Sequence, residues 1–278
     1  LPRGVYDRSK ARNVRNLDAF APVITETDEQ IAAKLDERFS VLHDLTVAAV
    51  GGEVKALVVS GPAGLGKSYT VEQVLKDSDP YEENSTQIKG YVRATGLMKA
   101  LYKYRNPGQI IVFDDADAIF FDDVSLNILK AATDSSDRRM ISWMSEAKFE
   151  DDDGDIIPHR FEFKGTILFI TNLDFDVMID KGHKLAPHLQ ALISRAHYID
   201  LAMKTKRDYF VRIKQVVKAG MLEKAGYNKA EEADVMAFIE SNFDKLRETS
   251  LRMVLKIAAL RKSNASRFES LARITCCK

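Results

Sequence analysis

The chain has 278 residues, 45% of them apolar, and its 41 basic side chains balance 41 acidic ones. That content supports a folded core and excludes a chain disordered throughout, while the charge balance excludes a global field drawing it onto nucleic acid or an anionic membrane. No apolar run reaches the ~18 residues of a membrane span and no export-type apolar core stands at the N-terminus, so no membrane partner and a cytosolic location are expected.

Residues 1–26 are polar and irregular, with Arg3, Arg8, Lys10, Arg12 and Arg15 against Asp7 and Asp18, and read as a basic N-terminal arm. From Thr27, a capping residue, Ile31, Leu35, Phe39, Leu42, Leu45 and Val47 recur at helical spacing until Gly51 and Gly52 end the pattern. Strands are expected at 57–60, 87–92, 110–113, 166–171 and 197–201, alternating with helical stretches, which indicates a parallel sheet covered by helices. Between 140 and 165, two extended arms flank an acidic turn containing Gly154, the pattern of a hairpin. Beyond 205 strand patterns vanish and 209–217, 231–239 and 250–260 have helical periodicity, so 204–278 is expected to be a separate helical unit after an α/β unit at 27–203. Cys276 and Cys277 are adjacent at the C-terminal end, which suits free thiols; no histidine pair has a zinc-enzyme spacing, and no transition metal is expected.

Gly61, Pro62, Ala63, Gly64, Leu65, Gly66, Lys67 and Ser68 form a complete G-x-x-x-x-G-K-[ST] motif. It follows the apolar run 56–60 and precedes the helical stretch opened by Tyr69, the strand, loop and helix context that a phosphate-binding loop requires. Glycines let the backbone N–H groups face a polyphosphate and the helix N-terminus adds a favourable dipole. Lys67 neutralises β- and γ-oxygens, and Ser68 is placed to ligate Mg²⁺. Downstream, the apolar run 110–113 ends in Asp114 and Asp115. Asp114 suits the magnesium shell and Asp115 the orientation of an attacking water; alone, such carboxylates as readily cap a helix.

At this point the chain resembles the AAA+ ATPases over roughly residues 45–262. The resemblance implies a three-layer α/β P-loop core with a parallel sheet, a small all-α lid after it, and ATP and Mg²⁺ as ligands. The run 167–172, a strand ending in Asn172, is similar to the family's sensor 1, and Ser194-Arg195 to the segment carrying the arginine finger. Arg252 in the run 250–256 is similar to sensor 2. The resemblance thus implies that Asn172 and Arg252 meet the γ-phosphate or lytic water of their own subunit, whereas Arg195 reaches a neighbour's. A homo-oligomer, hexamer-like, follows. Position 115 departs from the family, which usually carries Glu there; Asp is about 1.5 Å shorter, and a misplacement near 1 Å costs about a hundredfold in rate, so slow or partner-dependent hydrolysis is expected.

The polymer acted on stays open between two classes. Tyr91 and Arg93 stand where the family places a pore-lining loop, and an aromatic there suits polypeptide whereas a cation suits nucleic acid; taken alone, Tyr91 reads as a packed strand residue. A DNA motor is favoured by the basic arm and by Arg261, Lys262, Arg267, Arg273 and Lys278. A protein-remodelling ATPase with a polypeptide substrate or adaptor is favoured by neutral net charge and by Asp151, Asp152, Asp153 and Asp155 at the hairpin tip, which would repel phosphate. A third reading is a nucleotide-gated switch with little hydrolysis. Compact size and the runs 113–117 and 141–143 look like phage-encoded members, which leans the expectation to phage DNA metabolism in the host cytoplasm.

Overall fold

The computed structural model describes residues 26–144, 149–151, 154–203 and 205–278. The expected arm, with Arg3 to Arg15, and the tip residues Asp152 and Asp153 lie outside the described residues.

Helix α1 (Asp28–Gly51) opens with a capping box in which Thr27 and Gln30 satisfy each other's backbone N–H, and it closes on Gly52 at φ 85°. Its buried stripe is Ile31, Leu35, Phe39, Leu42, Thr46 and Ala49. Val47, assigned by spacing to that stripe, is instead 48% exposed, because the helical period carries the buried line onto Thr46, whose hydroxyl bonds back to Leu42 O. Then follow β1 (Ala56–Ser60), α2 (Lys67–Ser78), β2 (Ser85–Lys89), α3 (Ala94–Lys103), β3 (Ile110–Asp114) and α4 (Asp123–Ala132). The two-stranded pairs come next: β4 (Met140–Ser142) runs antiparallel to β7 (Arg160–Glu162), and β5 (Phe149–Glu150) to β6 (Ile156–Ile157). Both antiparallel pairs fall within the stretch 140–165.

The chain returns to the main sheet as β8 (Thr166–Thr171), continues through α5 (Phe175–Asp180) and α6 (Ala186–Ile193), and re-enters as β9 (His197–Asp200). The sheet is parallel and ordered β2-β3-β8-β1-β9. Every residue of β1, β3 and β8 is buried, as expected of strands covered on both faces. Alternation assigns the two faces: Val58, Ile111, Phe113, Ile167 and Phe169 pack with α3, α4 and α6, whereas Leu57, Val59, Ile110, Val112, Leu168 and Ile170 pack with α1 and α2. The result is three layers. Neither neighbour of β1 is adjacent to it in sequence, which creates a crevice at the carboxyl ends of the strands.

Strand β2 ends at Lys89 rather than at 92 because Gly90 takes φ 90° and turns the chain out of the sheet. Tyr91 therefore does not pack in the core; it is 73% exposed, with the Arg93 guanidinium 5.8 Å from its ring centroid.

The C-terminal part is helical: α7 (Lys206–Lys218), α8 (Met221–Lys224), α9 (Lys229–Asn242), α10 (Leu251–Ser263) and α11 (Phe268–Cys276). Thr205, Asn228 and Ser250 cap α7, α9 and α10 through their side chains. These helices share a core that includes Ile213, Leu222, Phe238, Val254, Ile257 and Phe268. Cys276 and Cys277 are free and buried. Helix α7 also faces the α/β layers: Val211 joins their core, Gln215 Nε2 donates to Ala32 O at 2.8 Å and Arg207 pairs with Asp28 at 2.6 Å. Among the described residues no helix is long and apolar enough to cross a membrane.

Candidate functional site: a phosphate loop beneath a helical lid

The loop between β1 and α2 lies over the strand ends, where Ser60 is level with Thr171 of β8 and Asp114 of β3 with Ile170. Gly64 and Gly66 hold φ 74° and 98°, conformations that L side chains rarely adopt. Gly64 has a second requirement: a Cβ there would stand 2.7 Å from Ser250 Cβ. The close approach lets Leu251 N donate to Gly64 O at 2.9 Å, so the start of α10 rests directly on the loop.

Lys67 is 5% exposed, and its Nζ donates to Gly61 O, to Pro62 O at 2.8 Å and to Asn172 Oδ1 at 3.0 Å. Asn172 Nδ2 in turn donates to Asp115 Oδ1 at 2.7 Å. The structure thus joins three residues far apart in sequence into one polar chain. Burial lowers the Lys67 pKa to about 8 against the pull of Asp115 and Asp114, which raises it. Asn172 is positioned from below: Ser60 Oγ donates to Leu173 O at 2.7 Å, and Thr171 Oγ1 to Asp117 Oδ1 at 2.6 Å. Burial pushes the Asp117 carboxyl up, and neighbouring Asp115 adds to that.

Ser68 Oγ donates to Asp114 Oδ1 at 2.9 Å. A hydroxyl and a carboxylate facing each other are hard oxygen donors, and this pair fits Mg²⁺, which typically takes one or two protein oxygens and completes its shell with phosphate and water. The second Asp114 oxygen accepts from Gln87 Nε2 at 3.0 Å and lies 3.5 Å from Lys89 Nζ, itself 3.0 Å from Glu72. Gln87 and Lys89 escaped the sequence reading; polar residues at alternate positions of β2, next to the strand that ends in Asp114, were the pattern that pointed to them.

A cavity of about 630 Å³ runs from this cluster beneath the helical part. The residues 63–70, Asp115, Asn172 and Arg252 line it at the loop end, and Asp36, Arg212, Gln215, Val216 and Met221 line it towards α1, α7 and α8. Tyr69 is on that lining and 52% exposed. Arg252 also opposes the protonation of Lys67, as a nearby cation does. Arg195 is not part of this lining. Its Nη1 donates to Ala191 O at 2.8 Å and its Nε lies 3.7 Å from Asp134. Arg212 and Gln215 were missed by the sequence reading, which took 209–217 only as a packed helix.

Over 251 residues the chain is 34% identical to an uncharacterized 36.7 kDa protein from the nrdC-mobD intergenic region of Enterobacteria phage T4, a match covering 90% of this chain and 76% of that protein. The chain belongs to the family of this phage T4 protein. A five-stranded parallel sheet flanked by helices, with a C-terminal helical part after it, is the fold class expected from the sequence. No protein-family profile matches it. Remote likenesses among solved structures include a Thermotoga maritima RuvB Holliday junction branch migration motor, with TM-score 0.45 and 14% identity over 89% of this chain and 69% of that one. NtrX from Brucella abortus in complex with ATP aligns with TM-score 0.46 and 13% identity over 85% of this chain and 51% of that one. Rhizobiales Trip13 aligns with TM-score 0.40 and 12% identity over 91% and 96%.

Proposed function

We propose that the protein is a Mg²⁺-dependent ATP hydrolase that works as a homo-oligomeric ring or spiral, hexamer-like, in phage DNA metabolism in the host cytoplasm. The observation that carries the ATPase reading is the chain Lys67–Asn172–Asp115 beside the pair Ser68–Asp114 at the ends of parallel strands. Residues 61–69 cradle the triphosphate, with Lys67 turning from the loop carbonyls to the β- and γ-oxygens. Ser68 and Asp114 hold Mg²⁺, which neutralises phosphate charge when bound. Asp115, held by the Asn172 amide, orients the attacking water and draws on its proton while Asn172 senses the γ-phosphate. Arg252 reaches the same phosphate from the lid. Arg195, outside its own subunit's cavity, serves the nucleotide of a neighbour. Replacing Asp115 by Asn is expected to lower turnover about a hundredfold or more with ATP affinity kept within a fewfold. Unchanged phosphate release in a steady-state assay would remove Asp115 from this role.

The DNA reading draws support from phage kinship and from the basic residues of the arm and lid. Part of that lid charge is compensated, however: Arg261 pairs with Asp234 at 2.7 Å and Arg273 with Glu269 at 2.9 Å. A second reading, remodelling of a polypeptide, is favoured by exposed Tyr91, an aromatic that turns out of the sheet beside Arg93. ATPase stimulation by single-stranded DNA that weakens as salt rises is the result expected for the first reading. Stimulation by unfolded protein with no response to DNA would favour the second.

A further inference from the structure

Arg212 is 9% exposed, and its guanidinium lies 3.5 Å from the Phe39 ring centroid, sandwiching the first lid helix against α1. Stacking on an aromatic face satisfies no N–H donor. Arg212 Nε has no hydrogen-bond partner, and among the described residues no carboxylate or carbonyl forms an ion pair or hydrogen bond with the head group. Asp36 attracts it only at longer range, and burial lowers its pKa to about 10, so the side chain stays cationic at neutral pH. A buried guanidinium without an anionic partner is costly, and an aliphatic side chain of similar volume would pack on Phe39 without that cost. Its surroundings suggest the compensating anion. Arg212 lines the same cavity as the phosphate loop, and its Nη2 lies 3.9 Å from the point where a Cβ would stand on Gly66, the last loop glycine before Lys67.

We propose that Arg212 is a ligand of the nucleotide's α- and β-phosphates, a guanidinium carried by the lid that grips the diphosphate portion beside the phosphate loop. The inference rests on the nucleotide-binding reading above and deepens it. Lys67, Asn172 and Asp115 line the cavity from the loop and strand ends, and Arg212, Gln215 and Val216 line it from α7, with the Arg212 head group close to the last loop glycine. A bidentate guanidinium suits two neighbouring phosphate oxygens. Since α7 also anchors to α1 through Gln215 and Arg207, a diphosphate held by Arg212 would strengthen the seam that carries the lid.

The test is calorimetric titration of the full chain with ATP, ADP and adenosine, comparing wild type with Arg212→Met, Arg212→Lys and Lys67→Ala, alongside thermal unfolding without nucleotide. Arg212→Met is expected to weaken ATP and ADP by the same factor, about ten- to a hundredfold, and to leave adenosine unchanged. Arg212→Lys should recover part of the loss, and the unfolding temperature of Arg212→Met should match or exceed wild type, because an unpaired buried charge is gone. A lowered unfolding temperature with unchanged preference for ADP over adenosine would make Arg212 a packing residue and overturn the proposal. A loss confined to ATP would overturn it as well, by moving the contact to the γ-phosphate. Failure of the underlying reading looks different: wild type and Lys67→Ala would then be equally indifferent to all three ligands.

Discussion

Asp115 has φ 52°, in the left-handed region. A short side chain able to hydrogen-bond locally tolerates that region better than a longer one, and Asp115 uses it to meet Asn172 at 2.7 Å. The aspartate at position 115 thus has a local backbone rationale. Lys67 gives a prediction with a definite sign. Its pKa of about 8 in the protein rises again when a polyphosphate supplies negative charge, so binding takes up a proton once pH exceeds that value. ADP affinity should be flat below pH 8 and fall above it, by up to about tenfold per pH unit, with an uptake visible as buffer-dependent heat. Affinity independent of pH between 7 and 9.5 would mean that Lys67 stays charged in the free site. The loop, Asp114 and Asp115 stand out in the sequence as glycine or polar positions at the end of apolar runs, whereas Asn172, which by itself reads as a turn residue, was singled out only by the resemblance. Arg212 was not legible, since a cation inside a helical pattern looks the same whether it faces water or a phenylalanine 173 positions earlier.

At the scale of elements, the contact between the phosphate loop and α10 would tie the proposed nucleotide binding to the lid. Gly64→Ala would strain a φ of 74° and drive a methyl into Ser250. The change should weaken ATP binding at least tenfold and lower the unfolding temperature, whereas Ser250→Gly in the same chain should recover part of the affinity by making room. Failure of the double variant to improve on the single one would separate the loop's own strain from its contact with the lid. The hairpin is anchored at its base by Arg139, whose Nη atoms donate to Ala132 O at 3.0 Å and Gly165 O at 2.7 Å. Both carbonyls would lose a buried donor in Arg139→Leu, a cost of about 2 kcal/mol or more, to be read as a lower denaturant midpoint. The strands and helices of the main sheet were well read from periodicity. The end of β2 was not, because Gly90 decides where the strand leaves the sheet and the apolar Val92 that follows it disguises the exit.

At the scale of the whole molecule, the proposed shared site turns on where Arg195 sits. It lies past α6, among the described residues bonded to Ala191 O and 3.7 Å from Asp134, and it does not line the cavity that its own Lys67 lines. Specific ATPase activity is expected to rise with protein concentration, and Arg195→Ala to bind ATP as wild type but hydrolyse it about a thousandfold more slowly. Mixing Arg195→Ala with Lys67→Ala should restore some activity, because an intact loop in one protomer can then meet an intact arginine in the next. Full activity of a dilute monomer, or no complementation on mixing, would speak against a shared site.

The order of apolar runs, glycines and carboxylates along this chain determined by itself that a parallel sheet presents a phosphate loop and a pair of acids, since alternation, turn geometry and phosphate chemistry are local properties. Which side chains meet across 100 residues, and which cation stands buried without a partner, was decided only by tertiary structure: the lid folds back over the loop, and burial changes what a lysine or an arginine costs and therefore what it binds.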